Sequence, residues 1–158
     1  MANTASNCMR AAERMETVAR DLYVDLSVAF SEQPHLRLLF QRLAAEEEQH
    51  AMRIRLLERH QGRSAWPREA GERFSNDCDA MVAEIEVLRR ESIAPSTSGD
   101  ARTVLRRLSE IEHRFSSIHA QDLARYAGPE VQKLFATLAL QDAAHRDLIE
   151  AAMFPEVA

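Results

Sequence analysis

The sequence predicts an all-α fold, a four-helix bundle made of two antiparallel helical hairpins joined by a long crossover. Three observations predict it. Gly and Pro are scarce, at 4 and 5 of 158 residues, so few turns interrupt the chain. Apolar side chains recur at alternating steps of three and four, as on the buried face of a helix. Two segments with this pattern, 39–50 and 134–145, also repeat each other in sequence.

The repeated segment is an apolar stripe that ends in an acid, two further residues and a histidine. Glu47 and His50 end the first copy, and Asp142 and His145 end the second. Because residues three apart share a helical face, each copy should direct one carboxylate and one imidazole toward the core. Burial of an unpaired carboxylate is strongly unfavourable, and a bound metal ion is the simplest compensation. The identities between the copies are Leu39/Leu134, Phe40/Phe135, Leu43/Leu138, Ala44/Ala139 and His50/His145.

The first hairpin is predicted from helices at about 8–31 and 35–60, after a polar start, 1–7, that is expected to fray. Pro34 either ends the first helix or starts the second, and so short a connection makes the two antiparallel. The inward positions of the first helix are Met9, Ala12, Glu16, Ala19, Tyr23, Leu26 and Phe30. Those of the second are Leu36, Phe40, Leu43, Glu47, His50, Ile54 and Leu57.

The crossover, about 61–99, is longer than antiparallel neighbours need and suits a connection that runs the length of a bundle. Ser75 or Asn76 is a candidate N-cap for a short extra helix that continues to about Glu91. Trp66 is expected to pack the crossover onto the bundle.

The second hairpin is predicted from helices at about 101–127 and 130–153, with Asp100 as an N-cap and Pro129 in the first turn of the last helix. The inward positions of the third helix are Ala101, Leu105, Leu108, Glu112, Phe115, His119, Asp122 and Tyr126. Those of the fourth are Val131, Phe135, Leu138, Asp142, His145, Ile149 and Ala152.

Six inward polar residues form a candidate metal site. One Glu from each of two helices, with acid-x-x-His from each of the other two, is the ligand set of di-iron and di-manganese bundles. Carboxylate and imidazole suit such ions, and two of them roughly 3.5–4 Å apart need bridging carboxylates. We therefore predict two Fe ions, with Mn or Zn as alternatives. The predicted ligands are Glu16, Glu47, His50, Glu112, Asp142 and His145.

These residues resemble the rubrerythrin and ferritin-like superfamily. The resemblance rests on Glu16 with Tyr23 seven places later, Glu47-x-x-His50, Glu112, and Asp142-x-x-His145. It implies that residues 1–158 form a single ferritin-like domain with a non-haem di-iron centre. It also implies reaction with hydrogen peroxide or dioxygen, electrons from an external donor, and a homodimer or larger assembly.

The sequence departs from the family at several positions. Asp142 replaces the usual Glu and is one methylene shorter, and Phe115 stands where rubrerythrins carry an extra Glu. His119 follows Glu112 by seven places, where a Tyr-like residue is expected. One pair of alternatives for His119 is an added metal ligand or a partner of Asp122. If His119 does not bind metal, it either supports the ligands or is an ordinary core residue. The two Cys residues are unpaired, whereas rubrerythrins usually add a rubredoxin-like domain with two Cys pairs.

Simpler interpretations stand beside the metal site. The buried acids and imidazoles form either the metal centre or a metal-free polar network. Tyr23 is the candidate catalytic residue, which either hydrogen-bonds a metal-bound carboxylate or relays an electron; the alternative is an ordinary core tyrosine. A shift in helix register would put Glu13 and Glu110 in place of Glu16 and Glu112. Glu46 and Glu48 are expected to be solvated and His113 to lie at the surface, whereas His35 and His60 are expected to be ordinary residues at helix ends.

Charge and composition narrow the function classes. A net charge of −5 disfavours nucleic acid as a partner. The sequence contains no apolar run of 18 residues, so no membrane span is predicted. Unpaired cysteines and the lack of an evident signal peptide predict a cytoplasmic protein. Three functions remain: a di-iron enzyme that reduces peroxide or dioxygen, a ferroxidase or iron-storage module, and a structural bundle with a vestigial metal site.

Overall fold

A computed structural model describes residues 4–60, 66–93, 100–121 and 127–155. Within these ranges the chain forms five helices and no strand, which confirms the all-α prediction. No helix in the described ranges is long and apolar enough to cross a membrane. The helices are α1 (Thr4–Ala29), α2 (Pro34–His60), α3 (Arg68–Ile93), α4 (Ala101–His119) and α5 (Pro129–Met153).

Helices α1 and α2 form an antiparallel hairpin, as predicted. Arg10 of α1 pairs with Glu58 at 3.1 Å, near the end of α2, whereas Arg20 pairs with Glu48, farther from that end. Pro34 is the first residue of α2, where its fixed φ suits a helix start.

Helices α4 and α5 form the second antiparallel hairpin. Ser116 donates to the Ala139 carbonyl at 2.9 Å, and Ser109 donates to Glu150 at 2.7 Å. The predicted cap is confirmed, since Asp100 accepts a hydrogen bond from the backbone of α4. The two hairpins meet along α2 and α5, where Glu46 of α2 contacts His145 of α5 at 2.8 Å.

Helix α3 is much longer than the short helix predicted within the crossover. It spans Arg68–Ile93, so Ser75 and Asn76 lie inside it rather than capping it. The reason is tertiary: Phe74 is fully buried, and that burial favours a helix that starts before the local capping signal. Trp66 is also buried just before the helix, which confirms that the crossover packs on the bundle.

The direction of α3 follows from its ion pairs with α1. Arg14 pairs with Asp79 at 3.7 Å, and Asp25 pairs with Arg89, so the two helices run parallel. Because α1 and α2 are antiparallel, α3 returns the chain along the full length of the bundle before α4 begins. A complete helix thus occupies most of the segment predicted as a crossover.

The core confirms the predicted inward faces of all four bundle helices over the described residues. Two boundaries were wrong. Helix α1 begins at Thr4 instead of about residue 8, because Ala5 and Cys8 are buried and hold the first turn in place. Helix α4 ends at His119 instead of 127. The predicted inward residues Asp122 and Tyr126 lie outside the described ranges.

Candidate metal centre

The six predicted ligands all lie in the core, on α1, α2, α4 and α5. None is more than 1% exposed: Glu16, Glu47, His50, Glu112, Asp142 and His145. The alternative register is not adopted. Glu13 instead pairs with Arg55 at 2.6 Å near the surface, and Glu110 is exposed.

Five of these residues form two overlapping clusters that share Glu47. One cluster is Glu16, Glu47 and His50, and the other is Glu47, Glu112 and His145. Within each cluster, the donor atoms lie within 4.8 Å of one another. Glu47 directs Oε2 to His50 Nδ1 at 2.9 Å and Oε1 to His145 Nδ1 at 3.0 Å. One carboxylate therefore serves both clusters, which is the position of a bridging ligand.

The remaining distances show that both imidazoles use Nδ1 in the same way. His50 Nδ1 lies 3.5 Å from Glu16 Oε2, and His145 Nδ1 lies 3.6 Å from Glu112 Oε2. The two rings are stacked, with centroids 5.5 Å apart and planes 12° from parallel. The two histidines of the internal repeat therefore have matching contacts at the centre.

Asp142, the sixth predicted ligand, lies beside these clusters without joining either of them. Its Oδ2 is 2.6 Å from His119 Nδ1. On its other side, His119 Nε2 is 3.0 Å from Glu16 Oε1. The sequence left open whether His119 pairs with Asp122; in the structure its carboxylate partner on Nδ1 is Asp142.

Many polar atoms at this centre lack a correctly aligned hydrogen-bond partner. Among the described residues, nine buried side-chain nitrogen or oxygen atoms have none, and only Trp66 Nε1 lies elsewhere. Such atoms are rare in folded proteins. A concentration of them in one place is explained by a bound ion that these oxygen and nitrogen atoms would share. The residues involved are Glu16, Glu47, His50, Glu112, His119, Asp142 and His145.

The charges at the centre are strongly coupled. Burial alone would lower the pKa of the three imidazoles, but the facing carboxylates raise it to about 10 for His50 and His119 and to about 12 for His145. Burial, with the charge of Glu16, raises the pKa of Glu47 to about 8. Burial alone would raise the pKa of Glu16, but its hydrogen bonds with His119 and His50 outweigh burial and lower that pKa overall.

These shifts leave four protons on the side chains of the metal-free centre at pH 7. The three imidazoles are protonated and Glu47 keeps its proton, while Glu16 and Asp142 are ionised. Asp142 remains ionised because burial, opposed by His119, raises its pKa only to about 6. Two divalent cations carry the same total charge as these four protons. Four protons and two metal ions are thus electrostatically interchangeable here.

Glu46 holds His145 from outside the centre. Its Oε2 lies 2.8 Å from His145 Nε2, and Arg42 binds its Oε1 at 2.8 Å. A hydrogen bond to the outer nitrogen fixes the tautomer that presents a lone pair on Nδ1. The sequence placed Glu46 at the surface; its side chain is in fact 31% exposed. The contact joins α2 to α5, and no local pattern in the sequence predicts which helices are neighbours.

Tyr23 supports the centre from α1. Its hydroxyl donates to Glu112 Oε1 on α4, and its ring stacks on Phe40 with centroids 6.2 Å apart. Burial and the charge of Glu112 keep the pKa of Tyr23 well above 10, so the residue remains a donor at neutral pH. The hydrogen bond agrees with the predicted support of a carboxylate.

We expect Tyr23→Phe to lower the free energy of unfolding of the metal-free protein by about 1.5–3 kcal/mol, the range for a hydrogen bond to a charged group. Urea unfolding monitored by circular dichroism measures it. Ser117→Ala is a matched control, since that hydroxyl is exposed and binds only the His113 carbonyl of its own helix. A Tyr23→Phe protein as stable as this control would show that the hydroxyl contributes nothing.

Comparisons with protein-family models, with curated proteins and with solved structures find no match to this chain. What can be concluded about its class therefore comes from its own fold and site: a helical bundle with buried Glu and His groups that can hold a metal ion.

Proposed function

We propose that the protein is a rubrerythrin-like, non-haem di-iron oxidoreductase that reduces hydrogen peroxide or dioxygen with electrons from an external donor. In this proposal α1, α2, α4 and α5 constitute a ferritin-like bundle, and α3 is its crossover helix. The observation that carries the proposal is the pair of buried clusters that share Glu47.

The donor set fits two divalent ions in type, spacing and charge. Carboxylate oxygen and imidazole nitrogen suit Fe(II), Mn(II) and Zn(II). Adjacent ligands at about 2.1 Å from one metal lie about 3 Å from each other when they subtend a right angle. The contacts of Glu47 with His50 and His145, at 2.9 and 3.0 Å, match this spacing. Full burial would favour metal-bound carboxylates over free ones, since it penalises uncompensated charge.

The residues proposed to hold the ions are Glu16, Glu47 and His50 at one position and Glu47, Glu112 and His145 at the other. Two Fe(II) ions there would supply two electrons, which reduce one hydrogen peroxide molecule to two waters when two protons are added. The chain itself contributes orientation: Glu46 holds His145, and Tyr23 keeps a hydroxyl proton directed at Glu112 Oε1.

The proposal is tested by the oxidant preference of the reduced, iron-loaded protein. In stopped-flow absorption, we expect hydrogen peroxide to oxidise it at least about tenfold faster than equimolar dioxygen, which corresponds to a barrier about 1.4 kcal/mol lower. Glu48→Gln is a control that should behave as the wild type, because Glu48 is at the surface and pairs with Arg20. Equal rates with both oxidants, or no reaction, would count against the peroxidase reaction.

A ferroxidase or iron-storage module shares the same ligands. The contact between Asp142 and His119 favours this second function. The fourth-helix carboxylate expected as a metal ligand is then in neither cluster. Repeated turnover of Fe(II) with growth of an iron mineral in a large oligomer would select this function over the first.

A structural bundle with a vestigial site is favoured by a different observation. Glu47 and the three imidazoles hold four protons, whose charge equals that of two divalent ions, so protons can take the place of the ions in the charge balance. Metal analysis after growth with iron and manganese separates this function from the other two.

The proposal includes a second copy of the chain as a partner. Three large apolar side chains support it by their exposure: Val28 at 70%, Leu38 at 60% and Leu140 at 74%. Apolar surface of this kind is often covered when subunits associate. A homodimer or larger homo-oligomer in the cytoplasm, with no nucleic-acid partner, completes the proposal.

A further inference from the structure

His119 occupies a place in the centre that the two clusters do not explain. It is fully buried on α4, seven residues after Glu112, and contacts one carboxylate through each ring nitrogen. Its Nδ1 lies 2.6 Å from Asp142 Oδ2, and its Nε2 lies 3.0 Å from Glu16 Oε1. Nε2 has no aligned hydrogen-bond partner among the described residues.

The short Nδ1 contact fixes which nitrogen carries the hydrogen. The Asp142 carboxylate oxygen at this distance is an acceptor, so Nδ1 donates to it. In the neutral ring, Nε2 then presents a lone pair toward Glu16 Oε1, which is also an acceptor. Two acceptors 3.0 Å apart in the core repel each other unless a cation lies with them. That cation is either a proton or a metal ion.

The same arrangement recurs along the centre, where carboxylates and imidazoles alternate. Glu16 lies between His50 and His119, as Glu47 lies between His145 and His50, with one oxygen directed to each ring. His119 therefore has the same relation to Glu16 as the two cluster imidazoles have to Glu47. The alternating order is Glu112, His145, Glu47, His50, Glu16, His119 and Asp142.

We propose that His119 is a third imidazole ligand, which binds metal through Nε2 at the position defined by Glu16, and that Asp142 orients it instead of bridging the two ions. This inference rests on the proposed di-metal function. A carboxylate on the outer nitrogen of a metal-bound histidine is a common orienting device, and Asp142 has the short side chain that leaves room for the ring.

The two metal positions are consequently unequal. With His119 as a ligand, the position with Glu16 and Glu47 would have two imidazoles, His50 from its cluster and His119 from beside Glu16, whereas the position with Glu112 would have only that of His145. Additional nitrogen ligands favour Fe, Co and Zn over Mn, so the first position should bind these ions more tightly. Ion selectivity is therefore set by His119.

Proton NMR of the Co(II)-loaded protein counts the ligand imidazoles directly. Each bound ring carries an N–H on its outer nitrogen, and Co(II) shifts that resonance far outside the normal range. We expect three shifted signals in water that vanish in deuterium oxide, from His50, His119 and His145. His119→Gln should show two, and His113→Gln, an exposed position on the same helix, should show three.

Calorimetric titration with Co(II) gives the second measurement. We expect His119→Gln to weaken one of two positions at least about tenfold and to leave the other unchanged, with Asp142→Asn having a smaller effect in the same direction. Wild-type protein that binds two Co(II) ions but shows only two shifted signals would overturn the role of His119 while leaving the di-metal proposal intact. Wild-type protein that binds none would overturn both. The count of signals in the wild type decides the question even if a variant fails to fold.

Discussion

Glu47→Gln is expected to weaken both metal positions together, each by more than about 100-fold, which exceeds the usual loss from removing an outer hydrogen-bond partner of a ligand. The reason is that the two oxygens of Glu47 serve different clusters, one facing His50 and the other His145. The amide keeps the shape of the side chain but replaces one anionic oxygen by an NH₂ group that cannot bind a cation. Calorimetric titration of the metal-free protein with Zn(II) measures both constants.

Two matched variants separate the bridging role from a general loss of charge. Glu112→Gln should weaken only one position, because Glu112 belongs to a single cluster. Glu48→Gln, next in sequence to Glu47 but at the surface, should leave both unchanged. A Glu47→Gln protein that still binds one ion with wild-type affinity would show that the two clusters do not share this carboxylate in solution.

Metal binding is expected to release about four protons per pair of divalent ions near pH 7. The pKa of Glu47 is raised to about 8 and those of the three imidazoles to about 10 or above, so all four groups hold protons below those values. A ligand must lose its proton to bind, so a higher pH favours binding. Two protons per ion correspond to an affinity that rises about 100-fold per pH unit between pH 6.5 and 7.5.

Calorimetry in buffers of different ionisation enthalpy gives the number of protons directly. Three protons instead of four would mean that His119 keeps its proton when metal binds, and this outcome would contradict its role as a ligand. Release of one proton or none would contradict the charge balance itself. The two ions would then add three or four positive charges to the buried centre that no departing proton offsets.

The helical faces were predictable because the helix period alone determines which residues share a side. Helix α2, for example, has no glycine or internal proline to shift its register, so Glu47 and His50 stay in line with Phe40 and Leu43 and are buried with them. The repeat in α5 supplied the same information independently. Burial of the candidate ligands followed from local geometry and required no knowledge of the neighbouring helices.

What the sequence could not predict depends on contacts between distant segments. Ser75 and Asn76 have the local chemistry of a cap, but the burial of Phe74 and Trp66 favours a helix that begins earlier. The first turn of α1 is held similarly, since Ser6 donates to Glu58 of α2 at 2.6 Å. In both places long-range packing determines the helix boundary, and such packing is absent from a local pattern.

The centre shows the same limit. Two acids are candidate partners of His119: Asp122, three residues later in the sequence, and Asp142 on α5. Only the packing of α4 against α5 brings Asp142 to His119. Likewise, Glu46 is one position from the inward face of α2 and reaches His145 because α5 is the neighbouring helix. The residues on each helix could be predicted, whereas their pairing across helices required the fold.

The central claim is that a pair of cations is held among the buried acids and imidazoles. Anomalous diffraction from crystals of protein grown with iron, collected above and below the iron edge, tests it most directly. The account predicts two peaks per chain, both within bonding distance of Glu47, one nearer to His50 and the other nearer to His145. A map with no peak in this centre, in protein whose side chains keep the contacts described above, would contradict it.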